Sequence, residues 1–150
     1  MDIAGLFAAV ESHALALGVF ERVNMHEPKT SPGSGLTAAV WIQAIAPVTT
    51  SGLATTSGRI EFSTRIYTNM LTEPQDAIDP NMVAAVDALL GAYSGDFDLG
   101  VTGVRDVDLL GQHGVPLSAL AGYLNQDGKL YRVMTVTLPI IINDLWAQVT

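Results

Sequence analysis

Between Gly58 and Tyr93 the chain reads GRIEFSTRIYTNMLTEPQDAIDPNMVAAVDALLGAY, and this stretch constrains the fold more than any other. Ile60, Phe62, Ile66 and Met70 fall on even positions, while Arg59, Glu61, Ser63, Arg65 and Asn69 fall on odd ones. Successive side chains of a strand point to opposite faces, so this spacing predicts a long strand with one buried face and one wet face. Glu73-Pro74-Gln75-Asp76 then breaks the ladder, and Asp79-Pro80 opens a helix. Aspartate at the N-cap accepts from free backbone donors, and proline fits the first turn. Met82, Val86, Leu89, Leu90 and Tyr93 recur at helical spacing, and Gly95 ends the run.

The flanks extend this pattern. Ile3, Leu6, Phe7, Val10, Ala14 and Leu17 predict a helix over residues 2–17 with Gly18 as its cap. Residues 19–36 lose periodicity. With Pro28, Pro32, Gly33 and Gly35 they form a long irregular connection, of a length suited to a contact arm. TAAVWIQAIAP reads as a strand ended by Pro47, and the small polar linker VTTSGLATTSG makes residues 37–70 one extended β-hairpin arm. Further strands are predicted over residues 104–110 and 117–125, and Gln126-Asp127-Gly128 makes a tight turn. A last strand follows, with Leu130, Met134, Val136, Leu138, Ile140 and Ile142 on one face; Pro139 within it predicts an edge position or a bulge. The order α-β-β-α-β-β-β, joined by hairpins, predicts an α+β fold: a mostly antiparallel sheet with two helices on one face. A chain of 150 residues without an internal boundary reads as a single domain, residues 1–150.

Charge removes several functions. Fifteen acidic against seven basic residues give −8, and the basic ones are scattered, so the footprint that displaces counterions from phosphates is missing. The apolar N-terminus carries Asp2 and Glu11 and no basic leader, which argues against a secretory signal. No run of apolar residues is long enough to predict a membrane span. With no cysteine, disulfides and thiolate metal sites are ruled out. An apolar share of 49% against 15% charged residues, with mean hydropathy +0.34, exceeds the need of one core and suits an oligomer.

No constellation carries catalytic chemistry. His13, His26 and His113 stand far apart, and Met25-His26-Glu27 reads as a solvated pair. Asp96-Phe97-Asp98 and Asp106-Val107-Asp108 each put two carboxylates on one side of an extended segment, a pattern that suits a hard cation. The glycine and terminal glutamate of a calcium loop do not follow, so solvated acids on a wet strand face are the stronger reading. Ser31, Ser34, Ser51 and Ser57 lack a nucleophile-elbow context, and Gly33-Ser34-Gly35 is too short for a phosphate loop and has no lysine. No catalytic, cofactor-binding or metal-binding residue is therefore assigned, and the chain is not expected to be an enzyme.

In the blocks VWIQAIAPV, GRIEFSTRIYTNMLTEPQDAIDPNMVAAVDALLGAYSGDFDLG, VRDVDLLG and GYLNQDGKLYRVMTVTLPIIIND, the chain resembles the tail terminator proteins of long-tailed, siphovirus-type actinobacteriophages. The likeness includes the helical N-terminus and the HEPK loop at residues 26–29. What the resemblance implies is structural: a ring, usually of six subunits, on the head-proximal end of the tail tube. Such a ring ends tube polymerisation and offers the docking surface for the neck. Implied partners are further copies of the chain, the major tail tube protein and a head–tail connector, with DNA passing through the lumen unbound. The implied location is the head–tail junction of the virion, and the host cytoplasm during assembly. A head-completion or neck protein is the nearest alternative; a small-molecule-binding or metal-dependent α+β domain is the alternative of another class. Within the ring reading, the odd face of the opening strand, Arg59, Glu61, Arg65 and Tyr67, is expected as an exposed polar row at a subunit interface. Asp96, Asp98, Asp106 and Asp108 are expected to help line the lumen and keep it repulsive to DNA.

Overall fold

Leu6, Val10 and Ala14, one helical turn apart, are fully buried and aim one stripe of α1 (Ile3–Ala16) at the core. Gly18 stops the helix at φ 68°, a conformation glycine adopts without a Cβ penalty, and its N–H reaches the Leu15 carbonyl at 3.2 Å. A computed structural model describes residues 3–18, 20, 22–24, 36–48, 55–69, 78–96, 98–126 and 128–147. Met70, the loop with His26, the hairpin tip, the Pro74 turn and Asp127 fall outside the described residues.

The strands are β1 (Arg22–Asn24), β2 (Thr37–Pro47), β3 (Thr55–Asn69), β4 (Val104–Val107), β5 (Ser118–Gln126) and β6 (Lys129–Ala147); α2 (Ile78–Gly95) lies between β3 and β4. This is the predicted α+β order with one short strand added inside the connection read as irregular. β1 runs parallel to β2 at Thr37, Ala38 and Ala39, and every other pairing is antiparallel. The sheet order is β1-β2-β3-β6-β4, with β5 also on β6.

The helices cover one face, here called inner. Ile60, Phe62 and Ile66 of β3 meet Val136, Leu138 and Ile140 of β6 beneath Met82, Leu89 and Tyr93 of α2, all of them fully buried. Removing such side chains from water contributes about 1.5–3 kcal/mol each. Phe7 of α1 packs edge-on against Phe62 at 5.4 Å, and the buried Tyr93 hydroxyl donates to the Val10 carbonyl at 3.1 Å. That bond ties α2 to α1, and burial pushes the Tyr93 hydroxyl well above the usual tyrosine range.

Several local expectations are corrected. Asp79 lies in the first turn of α2 rather than capping it, and its carboxylate pairs with Arg132 of β6 at 3.0 Å. The strand expected over residues 104–110 stops at Val107, because Asp108 begins a loop. Leu130, expected on the buried face, is 48% exposed. Pro139 sits in the central strand, not at an edge. Its carbonyl accepts from the Asp108 N–H at 3.0 Å, so its nitrogen points to the same side, into the gap where β4 ends (Val107↔Ile140) and β5 begins (Ser118↔Thr137). No ladder bond is demanded of it there.

The outer face of the sheet is covered in two places. Ala39, Tyr67, Tyr131 and Val133 form a second buried cluster with Trp41 and Leu124 against it. At the other end Arg59 donates to the His113 carbonyl, drawing the β4–β5 loop over the sheet near the fully buried Ile141.

Candidate functional site

Arg59, Glu61, Arg65 and Tyr67 do share the outer face of β3, as their alternation requires. They do not form an exposed polar row. Tyr67 is fully buried in the second cluster, between its cross-strand neighbours Thr37 and Val133. Arg59 and Glu61 face each other at 3.4 Å with side chains only 16% and 13% exposed. Arg65 donates to the Thr135 hydroxyl at 3.1 Å, and its guanidinium lies over the Trp41 ring at 5.1 Å. Alternation says which face a residue takes; whether that face is covered depends on distant segments. Here Ala39 and Trp41 of β2 share the covering with loop and strand residues from beyond position 108.

The four acids do not converge. Asp96, at the end of α2, meets His13 of α1 at 2.9 Å on the helix side of the sheet. His13 is held on its other nitrogen by the Ala9 carbonyl at 2.7 Å. Asp98 accepts the Gly100 N–H at 2.9 Å and shapes the turn it begins. Asp106 lies on the outer face, across Ile141 from Arg59. Asp108 is buried, and its two oxygens accept the Gln112 and His113 N–H groups at 2.9 and 2.8 Å. Asp108 thus organises a loop rather than presenting charge to a channel, and the set is split between the two sides of the sheet. Asp106 and Asp108 border a shallow hollow of about 200 Å³ with Leu109, Leu110 and Gln112. Among the described residues no three His, Asp or Glu side chains come together in a way that would hold a metal ion. None of the described helices is long and apolar enough to cross a membrane.

The residues that sequence reasoning passed over are apolar. Leu110 is 85% exposed, Leu120 77%, and Tyr123 64%. Leu120 and Leu124 of β5 border a second hollow, of about 370 Å³, with Arg65, Val133 and Thr135. A signal was present in the letters: SALAGYLNQ, the whole of β5, contains no charged residue. Leu120 stands on the outer face of β5 and Tyr123 on the inner one, so both sides of this strand present an apolar side chain to solvent.

No protein-family model matches the chain, and the search of curated proteins finds no relative. Among solved structures it is similar to a chain of the virion of a native gene transfer agent particle, with TM-score 0.51 and 18% identity over 94% of this chain and 98% of that one. It also aligns with the PVC sheath/tube terminator of an extracellular contractile injection system in its extended state, with TM-score 0.40 and 11% identity. That alignment covers 100% of this chain and 61% of the other, so this chain spans less than two thirds of its length. The first likeness, end to end at low identity, is one of fold.

Proposed function

We propose that this chain is a structural virion protein, a tail terminator of the siphovirus type, and not an enzyme. Copies of it form a ring, six by the family resemblance, that caps the head-proximal end of the tail tube. The ring ends tube polymerisation and receives the neck. Its partners are the major tail tube protein on one side and the head–tail connector on the other, and DNA passes through without specific contact. Assembly takes place in the host cytoplasm and leaves the chain at the head–tail junction.

The observation that carries this reading is the fold shared over nearly all of both chains with a component of a gene transfer agent virion. The sequence blocks that resemble actinobacteriophage terminators narrow it. Physical support comes from the exposed side chains Leu110, Leu120, Tyr123, Val83 and Ile45, each more than half exposed in the isolated chain. Such residues are costly to leave in water and are commonly covered in an assembly. Within the ring, Arg65 is the member of the β3 row best placed to meet a neighbour, and the candidate lumen acids divide into Asp96 on the helix side and Asp106 on the outer face, of which only one side can line a channel.

The test is tail length. Particles made without this chain, imaged by negative-stain electron microscopy, should carry overlong tube polymers. Normal-length tails detached from heads would instead assign the chain to the neck and sink the terminator reading.

A further inference from the structure

Among the described residues the sheet ends on β5, whose nine residues pair with β6 in unbroken register from Ser118↔Thr137 to Gln126↔Lys129 and have no strand on the other side. An open edge is a template for another strand. Chains that work alone blunt such edges with charge, proline, a bulge or short length. β5 uses none of these devices: SALAGYLNQ has no charge and no proline, its register has no shift, and Leu120 and Tyr123 stand well into solvent. At the opposite margin β1 pairs with β2 only at Thr37, Ala38 and Ala39. Residues 40–47, VWIQAIAP, have no second strand beside them among the described residues, and although they shift register between Ile42 and Ala44 and end in Pro47 they carry no charge.

Direction and charge select the occupant. β2, β3, β6 and β5 alternate in direction across the sheet. A second copy set beside β5 in the same orientation therefore presents its β2 antiparallel to β5, with the helices of both copies on the same side. In a chain of net charge −8, copies repel wherever acids face acids, and neither strand carries an acid of its own. The cations beside β5 are Arg132, over the Tyr123 ring at 4.6 Å, and Arg65, which borders the hollow beside Leu120. The hollow beside Leu120 and Leu124 is open to receive outer-face side chains of an incoming strand. Pairing of β5 with its own copy across a dyad is antiparallel too, but it closes at two subunits, whereas joining two different margins continues from copy to copy and makes a ring where the rotation closes.

We propose that β5 of one subunit pairs with residues 40–47 of β2 in the next copy, so that the sheets run on from subunit to subunit around the ring. The inference rests on the ring reading given above.

The chain contains no cysteine, so introduced pairs report cleanly. Ala121→Cys would be combined in turn with Ile42→Cys, Ile45→Cys and Pro47→Cys, all on the inner face, and oxidised in the full chain. At least one combination should give a ladder of crosslinked multiples beyond dimer, while Ala121→Cys alone should give none. By sedimentation at about 1 mM chain, where even contacts of millimolar Kd are populated, the parent should form species larger than two copies. Leu120→Lys/Ala121→Lys, with unchanged circular dichroism, should be monomeric. The edge pairing is overturned if the lysine variant assembles like its parent, if no pair yields a ladder, or if the parent stays monomeric at that concentration. A closed dimer crosslinked by Ala121→Cys alone overturns it as well. Each of these results leaves the terminator reading to be decided separately by tail length.

Discussion

Asp108→Ala tests most directly how the β4–β5 loop is held. The parent carboxylate is 4% exposed and divides its two oxygens between the Gln112 and His113 N–H groups, at 2.9 and 2.8 Å. A hydrogen bond to a charged group is worth about 1.5–3 kcal/mol. Two such bonds do not simply add here. Gln112 is exposed and His113 half-buried, so both amides recover part of the loss from water. The remaining cost should be about 2 kcal/mol, which for a domain of this size lowers Tm by roughly 4–8 °C. Asp108→Asn keeps one carbonyl acceptor for the two donors, so about half the loss is expected. Urea unfolding followed by circular dichroism measures the global change, and hydrogen exchange at Gln112 and His113 reports the loop itself. Because Arg59 grips the His113 carbonyl, the Arg59 side chain should also lose order in the alanine variant. An Asp108→Ala chain within about 0.5 kcal/mol of its parent, with both amides still protected, would refute the assignment of Asp108 as the loop's organiser.

Two further outcomes follow from the packing. Tyr93→Phe removes the bond to the Val10 carbonyl and should cost about 1 kcal/mol at neutral pH. Burial raises the Tyr93 pKa in the fold, so the native state keeps a proton that the unfolded chain gives up near pH 10. The tyrosine's contribution is therefore complete below that value and falls above it, by up to about 1.4 kcal/mol per pH unit. Urea titrations of both chains between pH 9 and 11 should show that extra slope in the parent alone, and parallel curves would refute it. Gly58→Val places a Cβ 2.7 Å from Leu145 Cδ2 and 3.2 Å from the Trp146 ring, with two further methyl groups beyond it. Leu145 can swing its end away but the indole moves only as a plate, so a loss of about 1–3 kcal/mol is expected. Tryptophan emission should shift with it; an unchanged spectrum and stability would show that the close approach is not present in solution.

Much of the architecture was legible in residue spacing. The even positions of β3 and the stripes of α1 and α2 identify the inner core, because period 2 and period 3.6 each leave one consistent apolar row. β6 departs from that simple pattern. Reading it as a one-faced strand took Leu130 as buried and passed over Tyr131, Val133 and Ile141, all buried on the other face. Its nearly continuous apolar run is the mark of a strand covered on both sides, and its central place in the sheet is the reason. The candidate sites were less legible. Asp96, Asp98, Asp106 and Asp108 look alike as letters, yet one is half-exposed beside His13 and another is enclosed by backbone donors.

Taken alone, then, the amino-acid order determined the α+β class, the two helices and the longer strands, because those follow from local period, caps and turns; the three-residue β1 and the second buried face of β6 did not show in it. It also showed that the basic residues are scattered and that cysteine is absent, since both are matters of composition. Only the tertiary structure decided what covers each face and which edges stay open among the described residues. Tyr67 and Arg65 differ by one step of the same alternation, but Tyr67 is sealed by Tyr131 and Val133 while Arg65 borders an open hollow. That difference is set by segments more than sixty residues away in the chain. The open margin of β5 has the same origin: pairing partners are chosen in three dimensions, and a strand's own letters do not say whether a neighbour lies beside it.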